Sequence, residues 1–177
     1  GQVSFYYGDD FGLTYSGTLD KGTEVAADEY FGQSLSAGDF NADGAVDLVI
    51  GVPGESSIAS SAGSIWVLHG EIGSGLPSTW DFVITQGSLA GDSAEADDEF
   101  GSALTTGDYD GDGAADLIVG VPRESLSSGE HQAGGVHEIY GFAGGGLTLT
   151  GNVFWTQDSP DIDGNAESND FFGDSLR

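Results

Sequence analysis

Hydrophobic positions along the chain fall in short runs separated by polar, glycine-rich stretches, and no segment carries the 3.6-residue period of an amphipathic helix. Residues 47–52 (DLVIGV) and 116–121 (DLIVGV) are continuous apolar runs that end at Gly-Val-Pro, the pattern of a strand covered on both faces. Residues 34–37 read as a shorter strand before the first of these, 64–69 as a third, and 81–85 as an outer fourth, with 153–157 its counterpart further on. Gly and Ser clusters at 54–63, 70–75, 127–135 and 141–146 punctuate the strands as loops. Almost no helix is predicted.

This pattern repeats. Residues 31–56 align without a gap on 100–125, identical at 15 of 26 positions, at an offset of 69. A third copy opens at Phe172 (FGDSL), and the segment GQVSFYYG at 1–8 recurs as GSIWVLHG at 63–70 and GGVHEIYG at 134–141. Four short strands per unit, repeated in series, is how β-propeller blades are assembled. The expected fold class is therefore all-β: the second half of a blade over 1–30, complete blades over 31–99 and 100–171, and the start of another over 172–177.

Composition narrows the function classes. Three Lys and Arg against 30 Asp and Glu give a net charge of −27, and Lys21, Arg123 and Arg177 are too few to neutralise a nucleic-acid backbone. Gly fills 31 of 177 positions and aromatics 11%, which suits a turn-rich β protein and not a disordered acidic tail. With no Cys there is no disulfide framework, thiolate nucleophile or zinc–thiolate site. The chain opens on Gly1 and contains no Met, so a processed product or an excised piece is expected. Its apolar runs are far below the roughly 20 residues of a membrane helix.

The loop between the first two strands of each unit carries the chemistry. It reads Asp39-Phe-Asn41-Ala-Asp43-Gly44-Ala45-Val-Asp47, and again Asp108-Tyr-Asp110-Gly-Asp112-Gly113-Ala114-Ala-Asp116. Ca²⁺ takes six to eight oxygens at about 2.3–2.6 Å, and a chain supplies them from alternate residues only by curling tightly, with Gly at the sixth position. Position 12 is Ile50 or Val119 where an EF-hand has a bidentate Glu, and no helices flank the loop, so the EF-hand reading fails. Asp, Asn and Gly are also ordinary turn formers. Two complete copies at one place in a repeat, each crowding mutually repelling carboxylates, favour a metal over a bare turn. Ca²⁺ is favoured over Mg²⁺, which keeps several waters instead of a protein cage.

Phe-Gly, this loop and Gly-Val-Pro together resemble the FG-GAP repeat of integrin α-subunit β-propellers and their prokaryotic relatives. The resemblance implies a seven-bladed propeller, extracellular or cell-surface exposure, and calcium at two sites. Its ligands would be Asp39, Asn41, Asp43, the Ala45 carbonyl and Asp47, then Asp108, Asp110, Asp112, the Ala114 carbonyl and Asp116. Phe31-Gly32 and Phe100-Gly101 would be packing and turn positions. Seven repeats of about 70 residues exceed 177, so the parent is longer or copies associate. Neither an Asn-x-Ser/Thr sequon nor an Arg-Gly-Asp motif occurs, which suits a prokaryotic secreted protein.

Other residues read as structural. His69, His131 and His137 lack zinc spacing; Trp66, Trp80 and Trp155 are expected to pack between blades. Glu95 and Asp97, and Glu167 and Asp170, precede Phe-Gly turns and are expected to cap them. No Gly-x-Ser-x-Gly elbow occurs. The expected function is a non-enzymatic adhesion, ligand-binding or scaffolding module. Its partner would be a protein or glycan, or further blades of the same or another chain. Assembly into a surface ring or filament, and an accessory role in a secreted hydrolase, are the alternatives.

Overall fold

The computed structural model describes residues 1–9, 12–21 and 29–176. Its elements are β1 (Gln2–Asp9), β2 (Gly12–Asp20), β3 (Leu35–Gly38), β4 (Asp47–Val52), β5 (Ser64–Leu68), β6 (Phe82–Ile84), a 3₁₀ turn at Gln86–Ser88, β7 (Leu104–Gly107), β8 (Asp116–Val121), β9 (Gly135–Ile139) and β10 (Val153–Trp155). They form an antiparallel hairpin, β1-β2, and two four-stranded antiparallel meanders, β3-β4-β5-β6 and β7-β8-β9-β10. The architecture is all-β, with blades of the propeller type. Both fourth strands are shorter than the sequence pattern suggests, because they are edge strands paired on one side only; Thr85 leaves the ladder to open the 3₁₀ turn.

The strands read as unbroken apolar runs because both faces of the first blade are covered. Successive side chains of a strand point to opposite faces. Val49 of β4 and Ile65 and Val67 of β5 face the second blade, in a core shared with Phe100, Leu104, Leu117, Val119, Val121 and Ile139. Their neighbours Ile50, Val52, Trp66 and Leu68 face the hairpin, packing on Val3, Leu19 and Phe31. Trp66 thus packs between units as expected, edge-on to Phe31 at 5.7 Å and to Trp80 at 4.2 Å.

The Phe-Gly pairs are the joints between units. Phe100 donates its N–H to the Ala62 carbonyl at 3.0 Å and bridges Gly63 in parallel; Phe172 repeats this on Ala133 and Gly134 at 2.9 Å. At Gly63 the backbone has φ +87°, and a Cβ would collide with the Phe100 carbonyl oxygen, so only glycine lets the Phe-Gly turn seat. The inner strands β3 and β7 are tied across the same joint by Thr106 Oγ1 donating to the Ala37 carbonyl at 2.9 Å.

Candidate metal centres

Each nine-residue loop joins an inner strand to the next strand, on the same rim of its blade. The backbone turns left-handed at its fourth position (Ala42, φ 54°; Gly111, φ 80°) and again at its sixth (Gly44, φ 90°; Gly113, φ 93°), which curls the chain back on itself. In the first loop the Asp39 carboxylate accepts N–H bonds from Asp43 (3.0 Å) and Gly44 (2.8 Å), Asn41 Oδ1 from Asp43 (2.9 Å), and Asp43 from Ala45 (2.7 Å). In the second loop Asp108 accepts from Gly111 (2.7 Å) and Gly113 (3.2 Å), Asp110 from Asp112 (3.0 Å), and Asp112 from Ala114 (2.8 Å). Each carboxylate oxygen has two lone pairs, so one such bond leaves acceptor capacity for a cation.

The ninth-position residues differ from the rest. Asp47 and Asp116 are completely buried and act as staples. Asp47 accepts N–H bonds from Phe40 at 2.9 Å and from Gly70, beyond the third strand, at 2.8 Å; Asp116 does the same with Tyr109 at 2.7 Å and Gly141 at 2.9 Å. Burial holds Asp47 above the usual carboxylate range, against the pull of the Gly70 and Phe40 amides.

In the second loop, Asp108, Asp110 and Asp116 bring carboxylate oxygens within 4.8 Å of one another. Oxygens on opposite sides of a Ca²⁺ ion lie about 4.6–5.2 Å apart, so this spread suits the ion. Asp112 is not in that triad, and the three acids of the first loop do not converge to the same distance among the described residues. The two loops also differ in support. Asn41 in the first accepts the Gly144 N–H of the following blade on its carbonyl at 2.7 Å and has an amide side chain, where the second has the carboxylate of Asp110.

Other titratable groups lie at the joints, and the sequence reading did not single most of them out. Lys21 forms ion pairs with Glu55 and, at 3.0 Å, with Glu29. Burial would lower its pKa, but the two carboxylates outweigh this and hold it above its ordinary value. At the next joint Asp92, Glu95 and Glu124 converge. Burial, reinforced by Asp92, pushes Glu124 up to about 10, and burial pushes Asp98 up to about 7. The expected capping is found for Asp170, which accepts the Glu167 N–H at 2.9 Å. In the other joint the cap is Asp98, accepting from Glu95 at 2.5 Å, so the Glu95 side chain is left to face Asp92 and Glu124. The signal for Glu124 was its identity with Glu55 in the repeat alignment. His137 is fully buried between Phe100 and Phe154, at 5.9 and 4.7 Å, and burial lowers it to about 4.

These blades and joints define a class: propeller units in which a Phe-Gly turn locks each sheet onto the last. Residues 31–68 and 100–139 match the FG-GAP repeat, and the chain is an FG-GAP repeat protein. It is 36% identical over 124 residues to mouse phosphatidylinositol-glycan-specific phospholipase D, which covers 69% of this chain and 14% of that protein. It is 31% identical over 184 aligned positions to Xenopus laevis integrin alpha-5, covering 100% of this chain and 15% of the integrin. Mouse integrin alpha-3 is 33% identical over 129 residues, 72% of this chain and 10% of its own length. The chain therefore spans about a sixth or less of the length of these relatives.

Proposed function

We propose that this chain is a calcium-stabilised, non-enzymatic propeller module of an extracellular or cell-surface protein, whose rim presents a binding surface for a protein or glycan partner. The convergence of Asp108, Asp110 and Asp116 oxygens within 4.8 Å carries the reading. Bound calcium would neutralise carboxylates that otherwise repel one another. Asp108, Asp110, Asp112, the Ala114 carbonyl and Asp116 would hold it in one loop; Asp39, Asn41, Asp43, the Ala45 carbonyl and Asp47 would do so in the other. Asp47 and Asp116 link each loop to the end of the third strand, so ordering the loop orders the rim.

A cleft of about 610 Å³ lies beside the first loop, lined by Gly44–Val46, Tyr7 and the turn at 70–75. It is the surface we assign to the partner, because loop order and cleft shape share the same backbone. The likeness to a phospholipase D supports a second reading, in which the module accompanies a hydrolase domain elsewhere in a longer chain. Calcium titration by calorimetry tests the principal reading. Binding at both loops is expected, with Asp110→Ala abolishing the event at the second loop and sparing that at the first; heat that is indistinguishable from buffer would overturn it.

A further inference from the structure

The two joints between units contain the same pair of acids in two different settings. Glu55 and Glu124 occupy equivalent positions, each accepting on its backbone carbonyl the N–H of a repeat-equivalent glycine, Gly63 or Gly134, at 3.0 Å. Glu29 and Asp98 are likewise separated by the repeat offset of 69. Strand register identifies the residue that faces them. Val3 pairs with Leu19 as Ile65 pairs with Ile84, so Lys21 and Gln86, each two residues further on, are structural counterparts. At the first joint the Lys21 ammonium binds both acids. At the second, Gln86 stands in that place, with no charge.

Among the described residues, the second joint nevertheless has more carboxylates than the first. Asp92 and Glu95 join Glu124, all three offering oxygens within 4.8 Å of one another, and buried Asp98 lies behind Glu95. Gln86 is fully buried with its amide head in the cluster, Nε2 donating to Glu124 at 2.7 Å and to Asp92 at 3.0 Å. Its carbonyl oxygen Oε1 has no partner. A buried amide oxygen without a donor costs on the order of 1–3 kcal/mol. A half-turn of the amide would present Oε1 to a cation among the carboxylates, exchanging the two Nε2 bonds for contacts of Glu124, Asp92 and Oε1 with the ion. Glu95 is exposed, which leaves a way in from solvent.

We infer that Asp92, Glu95, Glu124 and the Gln86 carbonyl form an inter-blade site for a hard divalent cation, taking the place that the Lys21 ammonium fills at the first joint. All four donors are oxygens, the set that Ca²⁺ and Mg²⁺ take in preference to softer metals. The site lies at the blade interface and is separate from both nine-residue loops, so it stands whether or not those loops bind calcium. It locks one blade to the next, as the buried ion pair does at the other joint.

The test is a count of calcium ions per chain by native mass spectrometry, with melting temperatures in calcium and in chelator. Glu124→Gln is expected to lower the count by one, and Asp110→Ala to lower it separately by one, the two losses adding in the double variant. Gln86→Lys is expected to abolish the joint site, raise the melting temperature in chelator and shrink the rise that calcium gives. The first joint accommodates lysine at this place, so this variant keeps the fold. An unchanged count in both Glu124→Gln and Gln86→Lys overturns the inference and leaves Glu124 as a buried neutral acid. Loss in these two with none in Asp110→Ala supports the joint site and refutes the loop reading instead.

Discussion

The first and second blades share a backbone plan but settle their charges differently. At the first joint, two acids from different parts of the chain meet a lysine. At the second, the lysine's counterpart is a glutamine and two more acids crowd in. The rim loops contrast in the same direction. The first carries an amide, Asn41, at its third position, and the second a carboxylate, Asp110. Glu55 and Glu124 recur with the repeat, while the side chain that faces them differs: Lys21 at the first joint and Gln86 at the second, where the inferred site puts a solution cation in the lysine's place.

Breaking the first joint should have the largest effect. Lys21→Met leaves Glu29 and Glu55 buried without a partner and is expected to cost about 4 kcal/mol in denaturant unfolding. Next comes Gly63→Ala, which sets a Cβ against the Phe100 carbonyl at a left-handed position; about 3 kcal/mol is expected by the same assay. For the second loop, the proposed calcium site predicts an effect that depends on the ion. With calcium at one hundred times Kd, the ion's stabilisation of about 2.7 kcal/mol should vanish in Asp108→Asn, while in chelator this variant melts no lower than the parent.

His137 belongs to the joint without a lysine and gives it a pH dependence. Its folded pKa of about 4 lies below the ordinary value of 6.5, so between these values the unfolded chain binds more protons. Its contribution is fully present above pH 6.5 and is lost as pH falls toward 4. In excess chelator, the parent should lose about 2 kcal/mol relative to His137→Leu between pH 6.5 and 5, because Asp98 and Glu124, raised by burial and gaining stability as pH falls, titrate in both proteins. The smallest effect separates the loops themselves. Ala42 holds a left-handed conformation that Gly111 adopts freely, so Ala42→Gly should stabilise the first loop by about 1 kcal/mol.

The rim loops were legible in the sequence because their chemistry is local: donors at alternate residues, glycine at the turn, all within nine positions. Their blades were legible because the pattern occurs twice. The joint sites were not, because their members come from distant stretches, Lys21 with Glu29 and Glu55, Gln86 with Asp92, Glu95 and Glu124, and only blade packing joins them. Asp47 and Asp116 were read as the closing ligands of a ring; their further role as buried staples depends on amides of Gly70 and Gly141, more than twenty residues away. The short 3₁₀ turn at Gln86–Ser88 is likewise a product of strand β6 ending early, which no periodicity announces.

The most direct measurement is thermal unfolding followed against calcium concentration. Stabilisation by rim-bound calcium predicts a melting temperature that climbs with calcium, falls in excess chelator, and climbs less in Asp108→Asn. A melting curve that chelator leaves unmoved would contradict the account.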